Sequence, residues 1–314
     1  MKKMIIVLIG VLLLSCLLIY VLIPTVIIIR KSISIENNLN GLRRSLSDST
    51  KWAQWWPGEI SSNKKILDEK EYRLTDITFS SLLIDINRQK DTVKTSFNII
   101  PLNNQSVTLE WGTEMYASYN PYIRLKTYLY AQAIGKDFSK VLKAAKTYYS
   151  NSESVYGLDI KRDTVKNSSL IFTIDSSQGY PTTEKIYSML AELRKYIAYN
   201  NATIIDSPML NINSSDSVNY ITRVAIPTDR KLASNGKIQY RWMLGGGNIL
   251  SAEIKGDNRK VDSALAMVEK YVQDYELVAP AIPFYSLVTN RLALKDSNSW
   301  VTKIYYPIMY FNKN

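Results

Sequence analysis

Hydrophobic and polar positions divide the chain into three stretches with different periods. Met4 to Ile23 reads MIIVLIGVLLLSCLLIYVLI, twenty residues without a charge, which as a helix spans about 30 Å of hydrocarbon. Pro24 ends that run. From Val26 the pattern turns β-branched and then alternating, which predicts a strand over Val26–Ile35. Leu39, Leu42 and Leu46 have helical spacing and predict a short helix over 39–49. Lys51 to Gly58 (KWAQWWPG) is an aromatic cluster closed by a Pro-Gly breaker. Alternation then returns over 71–77, 82–86, 93–100 and 106–111, with polar turns between, and predicts an antiparallel meander. Ile134, Phe138, Val141, Leu142 and Ala145 recur at three and four residues, one apolar stripe of a long helix.

The third stretch shows the same order of patterns twice. A strand at 170–174 leads to Gly179, then to a helix with Ile186, Leu190, Leu193 and Ile197 on one face, then to strands at 208–212 and 219–227. A strand at 248–254 leads to Gly256, then to a helix capped by Asp257 or Asn258 with Val261, Ala264, Leu265 and Val268 on one face, then to strands at 282–288 and 300–308. Gly179 and Gly256 hold equivalent turns, where a missing Cβ frees the backbone. Residues 210–219, rich in Asn and Ser, read as a hairpin turn. Gly245-Gly246-Gly247 precedes a strand and lacks a following Lys-Ser/Thr, so it reads as a connector and not as a phosphate cradle. The predicted class is α+β, with an N-terminal transmembrane helix at 1–25, a first domain at 26–150 and a second at 155–314.

Residue types narrow the chemistry. Histidine is absent and Cys16 is the one cysteine, so a Ser–His–Asp triad, a Cys–His pair and a histidine metal site are excluded. No metal site, cofactor or catalytic residue is expected. The chain holds 22 Tyr and 6 Trp, a composition suited to an apolar binding cavity. The net charge of +11 is spread without a Lys/Arg block, so no nucleic-acid partner is expected; a basic surface near anionic lipid headgroups fits it. For the N-terminal run, a single-pass retained anchor over residues 4–23 is expected. A cleaved signal peptide and a lipoprotein acylated at Cys16 are the alternatives, although no A-x-A-like site follows and the run stays apolar after Cys16. Lys2 and Lys3 on one side, and Arg30, Lys31, Arg43 and Arg44 on the other, leave the orientation open.

A strand, a short helix, a meander and a closing helix, together with Trp52–Pro57, Thr108–Trp111 and Ile134–Lys143, resemble the SRPBCC (START-like, polyketide-cyclase-like) superfamily over about 120 residues. The resemblance implies a helix-grip fold with an apolar cavity that Trp52, Trp55, Trp56 and Trp111 would line; the alternative is that these rings are core. The doubled strand–helix–strand–strand order resembles the bacterial GyrI-like effector-binding domain. The stretches that carry this are Val288-Thr289-Asn290, Asp296, Trp300–Ile308, Ile226-Pro227 and Ala252–Gly256. It implies a groove between the repeats that holds a small cationic or hydrophobic molecule on aromatic rings and a buried glutamate, which some relatives use to hydrolyse strained rings.

The departures from that pattern decide the expectation. The family's central glutamate falls at Tyr285, its tyrosine at Leu287, a proline at Arg291 and a second glutamate at Lys303. A phenol with a pKa near 10 is a poor base at neutral pH, so a membrane-tethered, non-catalytic protein that binds a small hydrophobic or aromatic ligand is expected. Its ligand residues would be Trp242, Tyr285, Trp300 and Tyr306 in the second domain and Trp56 and Trp111 in the first, with a hollow free of ionised acid at its centre. The alternatives are a cyclase- or hydrolase-like enzyme using Asp85, Glu110 or Glu253 turned inward, and a ligand-sensing regulatory protein.

Overall fold

The computed structural model describes residues 2–61, 64–88, 91–214 and 216–309. The chain forms two compact units, residues 1–155 and 156–314.

In the first unit, helix α1 (Lys2–Leu22) is followed by β1 (Val26–Ile35), α2 (Leu39–Ser47), β2 (Glu59–Ser61), β3 (Lys64–Leu67), β4 (Lys70–Ile77), β5 (Ser81–Arg88), β6 (Asp91–Asn103), β7 (Ser106–Tyr116), α3 (Pro121–Tyr149) and the short α4 (Glu153–Tyr156). Residues 4–22 of α1 are long and apolar enough to cross a membrane, and none of that window is buried inside the protein. Cys16 lies within this helix. Seven strands form one antiparallel sheet in the order β1-β7-β6-β5-β4-β3-β2. Alternation in β7 sends Val107, Leu109 and Trp111 to the buried face, where the stripe of α3 (Ile134, Phe138, Val141, Leu142) covers them. Asn120 caps α3 by accepting from the N–H groups of Tyr122 and Ile123, and Pro121 occupies the first turn.

One buried cluster in this unit is ionic. The Nζ of Lys70 lies 2.8 Å from Asp137 Oδ2, with the two side chains 5% and 1% exposed. The Tyr72 hydroxyl donates to the same carboxylate oxygen at 2.7 Å. Burial first, and then the hydrogen bond to Asp137, raise the pKa of that phenol far above its ordinary value, so it stays a donor.

At the exit of α1, the chain is tied to the start of α3. The Arg124 Nε donates to the Ile23 carbonyl at 3.0 Å, and its guanidinium lies 5.1 Å from the centre of the Tyr20 ring. The Tyr20 hydroxyl donates in turn to the Tyr119 carbonyl. Arg124 is only 5% exposed, so the backbone and ring at residues 20–23 are what satisfy a buried cation.

The second unit contains β8 (Lys161–Thr164), β9 (Ser169–Gln178), α5 (Thr183–Tyr199), β10 (Met209–Ser214), β11 (Asn219–Pro227), β12 (Gln239–Trp242), β13 (Asn248–Lys255), α6 (Asn258–Asp274), β14 (Phe284–Leu287) and β15 (Val301–Pro307). Eight strands form an antiparallel sheet in the order β12-β9-β11-β10-β14-β15-β13-β8. Strand, helix, strand, strand occurs as β9-α5-β10-β11 and again as β13-α6-β14-β15, with β8 and β12 added at the sheet edges. Asp257 caps α6 by accepting from the Lys260 N–H. Gly256 has a φ of +146° and a Cβ there would stand 2.4 Å from Lys260 Cδ, so this turn requires glycine. The helices cover one face: Ile186, Leu190, Leu193 and Ile197 of α5 pack with Ile171, Leu210, Val224, Ile226 and Leu287 from the sheet.

Candidate functional site

The tryptophans of the first unit belong to its core. Trp111 is fully buried and stacks on Phe138 at 4.3 Å. Tyr72 sits edge-on between Trp111 and Trp56, at 5.8 and 5.3 Å, and Trp56 stacks on Trp52 at 5.8 Å. Three of the four indole N–H groups donate inside the protein, Trp52 to the Leu46 carbonyl, Trp56 to the Ile66 carbonyl and Trp111 to Thr95 Oγ1, and that of Trp55 is buried without an acceptor. Rings that fill each other's faces in this way pack as a core. Of the candidate ligand residues, Trp56 and Trp111 thus lie buried within this aromatic cluster.

The carboxylates considered for catalysis also fail to turn inward. Asp85 alternates with the buried Leu82, Ile84 and Ile86 and takes the opposite face. Glu110 stands 3.7 Å from Arg30 on the outward side of β7. Glu253 is 60% exposed and lies 3.5 Å from Lys303.

In the second unit the expected ring wall is divided between two faces of one sheet. Tyr285 pairs with Leu210 and with Ile304 and packs against the core beneath α5. Tyr306 pairs with the buried Leu250 and shares the helix-covered face. Burial pushes the Tyr285 hydroxyl pKa well above its ordinary value, and Asp262 adds to the shift. Asp262 and Glu269 both lie on α6 and both act on Tyr285; burial also raises the Asp262 carboxyl. Asp262 and Glu269 stand at exposed positions of α6, each one residue off its apolar stripe.

Arg291 acts as a strut between α6 and β15. It is 8% exposed. Its Nη1 donates to Asn258 Oδ1 at 2.8 Å and its Nη2 to Thr302 Oγ1 at 2.8 Å, which joins the first residue of α6 to β15. Its guanidinium lies 4.9 Å from the ring of Trp300, whose own N–H donates to the Leu294 carbonyl at 2.7 Å. Trp300 is thereby committed to holding this corner. Burial lowers the Arg291 pKa, yet a guanidinium remains charged, and no carboxylate pairs with it among the described residues.

Trp242 lies elsewhere, at the end of β12, in an open apolar cavity of about 480 Å³. This volume falls within the roughly 300–1,000 Å³ of small-molecule sites. Phe172 and Ile174 of β9 alternate with Ile171 and Thr173, so they occupy the face turned away from α5 and α6. Ala225 pairs with both Phe172 and Met209 and forms the floor. Phe284, stacked on Tyr305 at 5.2 Å, and Ile282 close the far side with Trp242 opposite. No Asp or Glu lines the cavity, and Arg223 and Arg241 edge it. Arg241 lies 5.1 Å over the Phe172 ring, and Arg223 Nη1 donates to Asn211 Oδ1 at 3.0 Å. Sequence reasoning named Trp242 but missed Phe172, Ala225 and Phe284. The signal was present in Leu170-Ile171-Phe172-Thr173-Ile174: Leu170, Phe172 and Ile174 make one face of this strand apolar while Ile171 makes the other so, and the predicted helices can cover only one.

No protein-family model matches the chain, and no curated protein matches it. Solved structures are similar at low identity. The EcmrR protein from a complex described as EcmrR–DNA is 13% identical, covers 60% of this chain and 72% of its own, and has a TM-score of 0.44. The protein SAV2435, bound to tetraphenylphosphonium, is 13% identical over 48% of this chain and 93% of its own, at a TM-score of 0.31. A START superfamily protein from Mycobacterium smegmatis is 12% identical over 39% of this chain and 96% of its own, at 0.30. These likenesses are too slight to carry an argument about this chain. The expectation of no nucleic-acid partner gains nothing from them, since one of these proteins is seen in complex with DNA.

Proposed function

We propose that this protein is a membrane-tethered, non-catalytic receptor for a small apolar molecule, which it holds on the helix-free face of the sheet in its second unit. The observation that carries the reading is the cavity of about 480 Å³ between Phe172, Ala225, Trp242 and Phe284, lined by no carboxylate. Such a lining gains free energy by removing apolar surface from water, at about 25 cal/mol per Å². It offers no base for proton chemistry and no negative charge to select a cation. The arginines at its edges suit a neutral molecule, or one with an anionic end. The doubled element order supports a GyrI-like architecture for this unit, and the strand–helix–meander–helix order supports a helix-grip architecture for the first.

The tether is supported by Arg124. Removal of residues 1–23 as a signal peptide would take away both the carbonyl and the ring that hold this buried guanidinium, leaving a charge without a partner. The helix therefore reads as a retained single span.

The test is a titration of the full chain in lipid nanodiscs with the neutral probe N-phenyl-1-naphthylamine, with empty discs subtracted. Saturable binding is expected. Trp242→Ala should weaken it by about tenfold, which is the about 1.5 kcal/mol of a lost aromatic contact. Tyr285→Ala, on the opposite face, should leave it unchanged. If Tyr285→Ala weakens binding and Trp242→Ala does not, the ligand sits on the helix side and this reading is wrong.

A further inference from the structure

We infer that the outward stripe of α3 and the adjoining groove against β1 dock onto the bilayer that α1 enters, and that the groove takes the phosphate headgroup of an anionic lipid. This rests on reading α1 as a retained span. The stripe changes character along its length. Tyr122, Leu125 and Leu129 recur at three and four residues, and each is exposed, by 74%, 38% and 60%. Lys136, Lys140 and Lys143 continue the same face at exposed positions. Tyr119 and Tyr116, just before the helix, are 86% and 77% exposed. Exposed apolar side chains in a row are costly in water, whereas tyrosines and leucines next to a span are the residues that settle at a membrane interface.

The position of the stripe is fixed to α1. Arg124 and Tyr119 receive or supply the contacts that bind the exit of α1 to the start of α3, so the first turns of α3 begin where α1 leaves the hydrocarbon. Tyr122 to Leu129 covers about 10 Å of helix, and Lys136 lies about 10 Å further on. A helix sloping through the interface thus meets the acyl boundary first and the charged headgroup layer next.

The groove beside those lysines has the chemistry for that layer. It has a volume of about 440 Å³, and of its eleven lining residues five are basic (Arg30, Lys31, Lys136, Lys140 and Lys143) and none is acidic. At Gly135 β1 lies within ordinary contact of the helix: a Cβ there would stand 3.4 Å from Ile29 Cγ2 and 3.7 Å from Lys31 Cε, so the lysine stem lies across the helix. Lys140 pairs with Asp68 and Arg30 approaches Glu110, but Lys31, Lys136 and Lys143 have no ion-pair partner among the described residues. The lining contains no aromatic ring, so it has nothing on which a nucleotide base would stack.

The test uses the full chain in nanodiscs on a Cys16→Ser background, with an environment-sensitive NBD label at one of two engineered cysteines. Leu12→Cys reports insertion of α1, and Leu129→Cys reports the stripe. Lipids carrying a nitroxide near the headgroup should quench the label at 129 by at least half. Adding 30% phosphatidylglycerol should deepen that quenching, and the triple variant Lys31→Gln, Lys136→Gln, Lys143→Gln should abolish the added effect while Tm stays unchanged. Nitroxides placed deep in the chains should quench the label at 12. Quenching at 12 without quenching at 129 overturns the inference and leaves the span intact. Absence of both removes the span as well. Tripolyphosphate binding that depends on the three lysines, with no response to phosphatidylglycerol, would assign the groove to a soluble anion and also overturn the inference.

Discussion

Replacing Asp137 by alanine is expected to destabilise the first unit by about 3–5 kcal/mol, because it strands Lys70 inside the protein. The lysine side chain is 5% exposed and 2.8 Å from the carboxylate, and its other acceptor is the Asp68 carbonyl at 3.2 Å. The Tyr72 hydroxyl loses its acceptor in the same step. A loss of this size is a fifth or more of the roughly 5–15 kcal/mol that holds a typical domain folded. Near-ultraviolet circular dichroism of the full chain should show the transition of the first unit falling by about 10 °C or more. The pair Lys70→Met, Asp137→Leu removes both charges and keeps apolar volume, and it should recover most of the loss. If Asp137→Ala melts within about 2 °C of the parent chain, the cluster is solvated and its burial is wrong.

The second large effect is expected at Ala225. It pairs with Phe172 on one side and Met209 on the other, and its methyl group is the smallest side chain on the cavity floor. Ala225→Trp puts an indole into the space assigned to the ligand. Affinity for N-phenyl-1-naphthylamine should fall by more than tenfold. Because the cavity is open, the added ring meets no buried wall, and the cost of overpacking a closed core, about 1–3 kcal/mol, is avoided. Tm should therefore hold within a few degrees. Unchanged affinity in a folded Ala225→Trp chain would place the probe elsewhere.

Elements with a strong apolar period were legible before any coordinates. The strand at Val26–Ile35, the strand ending at Pro227 and the cap at Asp257 all stand where the pattern puts them. The strands that escaped notice are short and polar: Glu59–Ser61, Lys64–Leu67, Lys161–Thr164 and Gln239–Trp242. The first, third and fourth of these are edge strands, which bury little and so carry little alternation, and Lys64–Leu67 lies inside the sheet but is only four residues long. Helix α3 extends to Pro121, thirteen residues before the first stripe position at Ile134. Its early turns present Tyr122, Leu125 and Leu129 outward, and apolar residues on the outer face cancel the period that marks a buried one.

The site was less legible because a list of rings does not say which way they face. Trp242 and Tyr285 belong to one sheet, and the register pairs Trp242 with Ser169 on the Ile171 side, yet at the end of edge strand β12 Trp242 lines the cavity of Phe172 and Ala225. Asp262 shows the same limit. It lies beside the apolar stripe of α6, where an acidic residue reads as solvated surface, and only the fold brings it within electrostatic reach of Tyr285. Trp300 belongs to the stretch with the strongest family resemblance in sequence and Arg291 departs from it, yet the contacts of both join α6 to β15 and serve the scaffold.

The most direct test of ligand binding on the helix-free face is photolabelling of the full chain in nanodiscs with a small apolar diazirine, followed by peptide mapping. Adducts outside α1 should concentrate on residues 170–174, 223–225, 241–243 and 282–284, and an excess of unlabelled N-phenyl-1-naphthylamine should suppress them. Adducts that gather instead on 262–269 and 285, or on 52–56 and 111, and that the competitor suppresses there, would contradict the account.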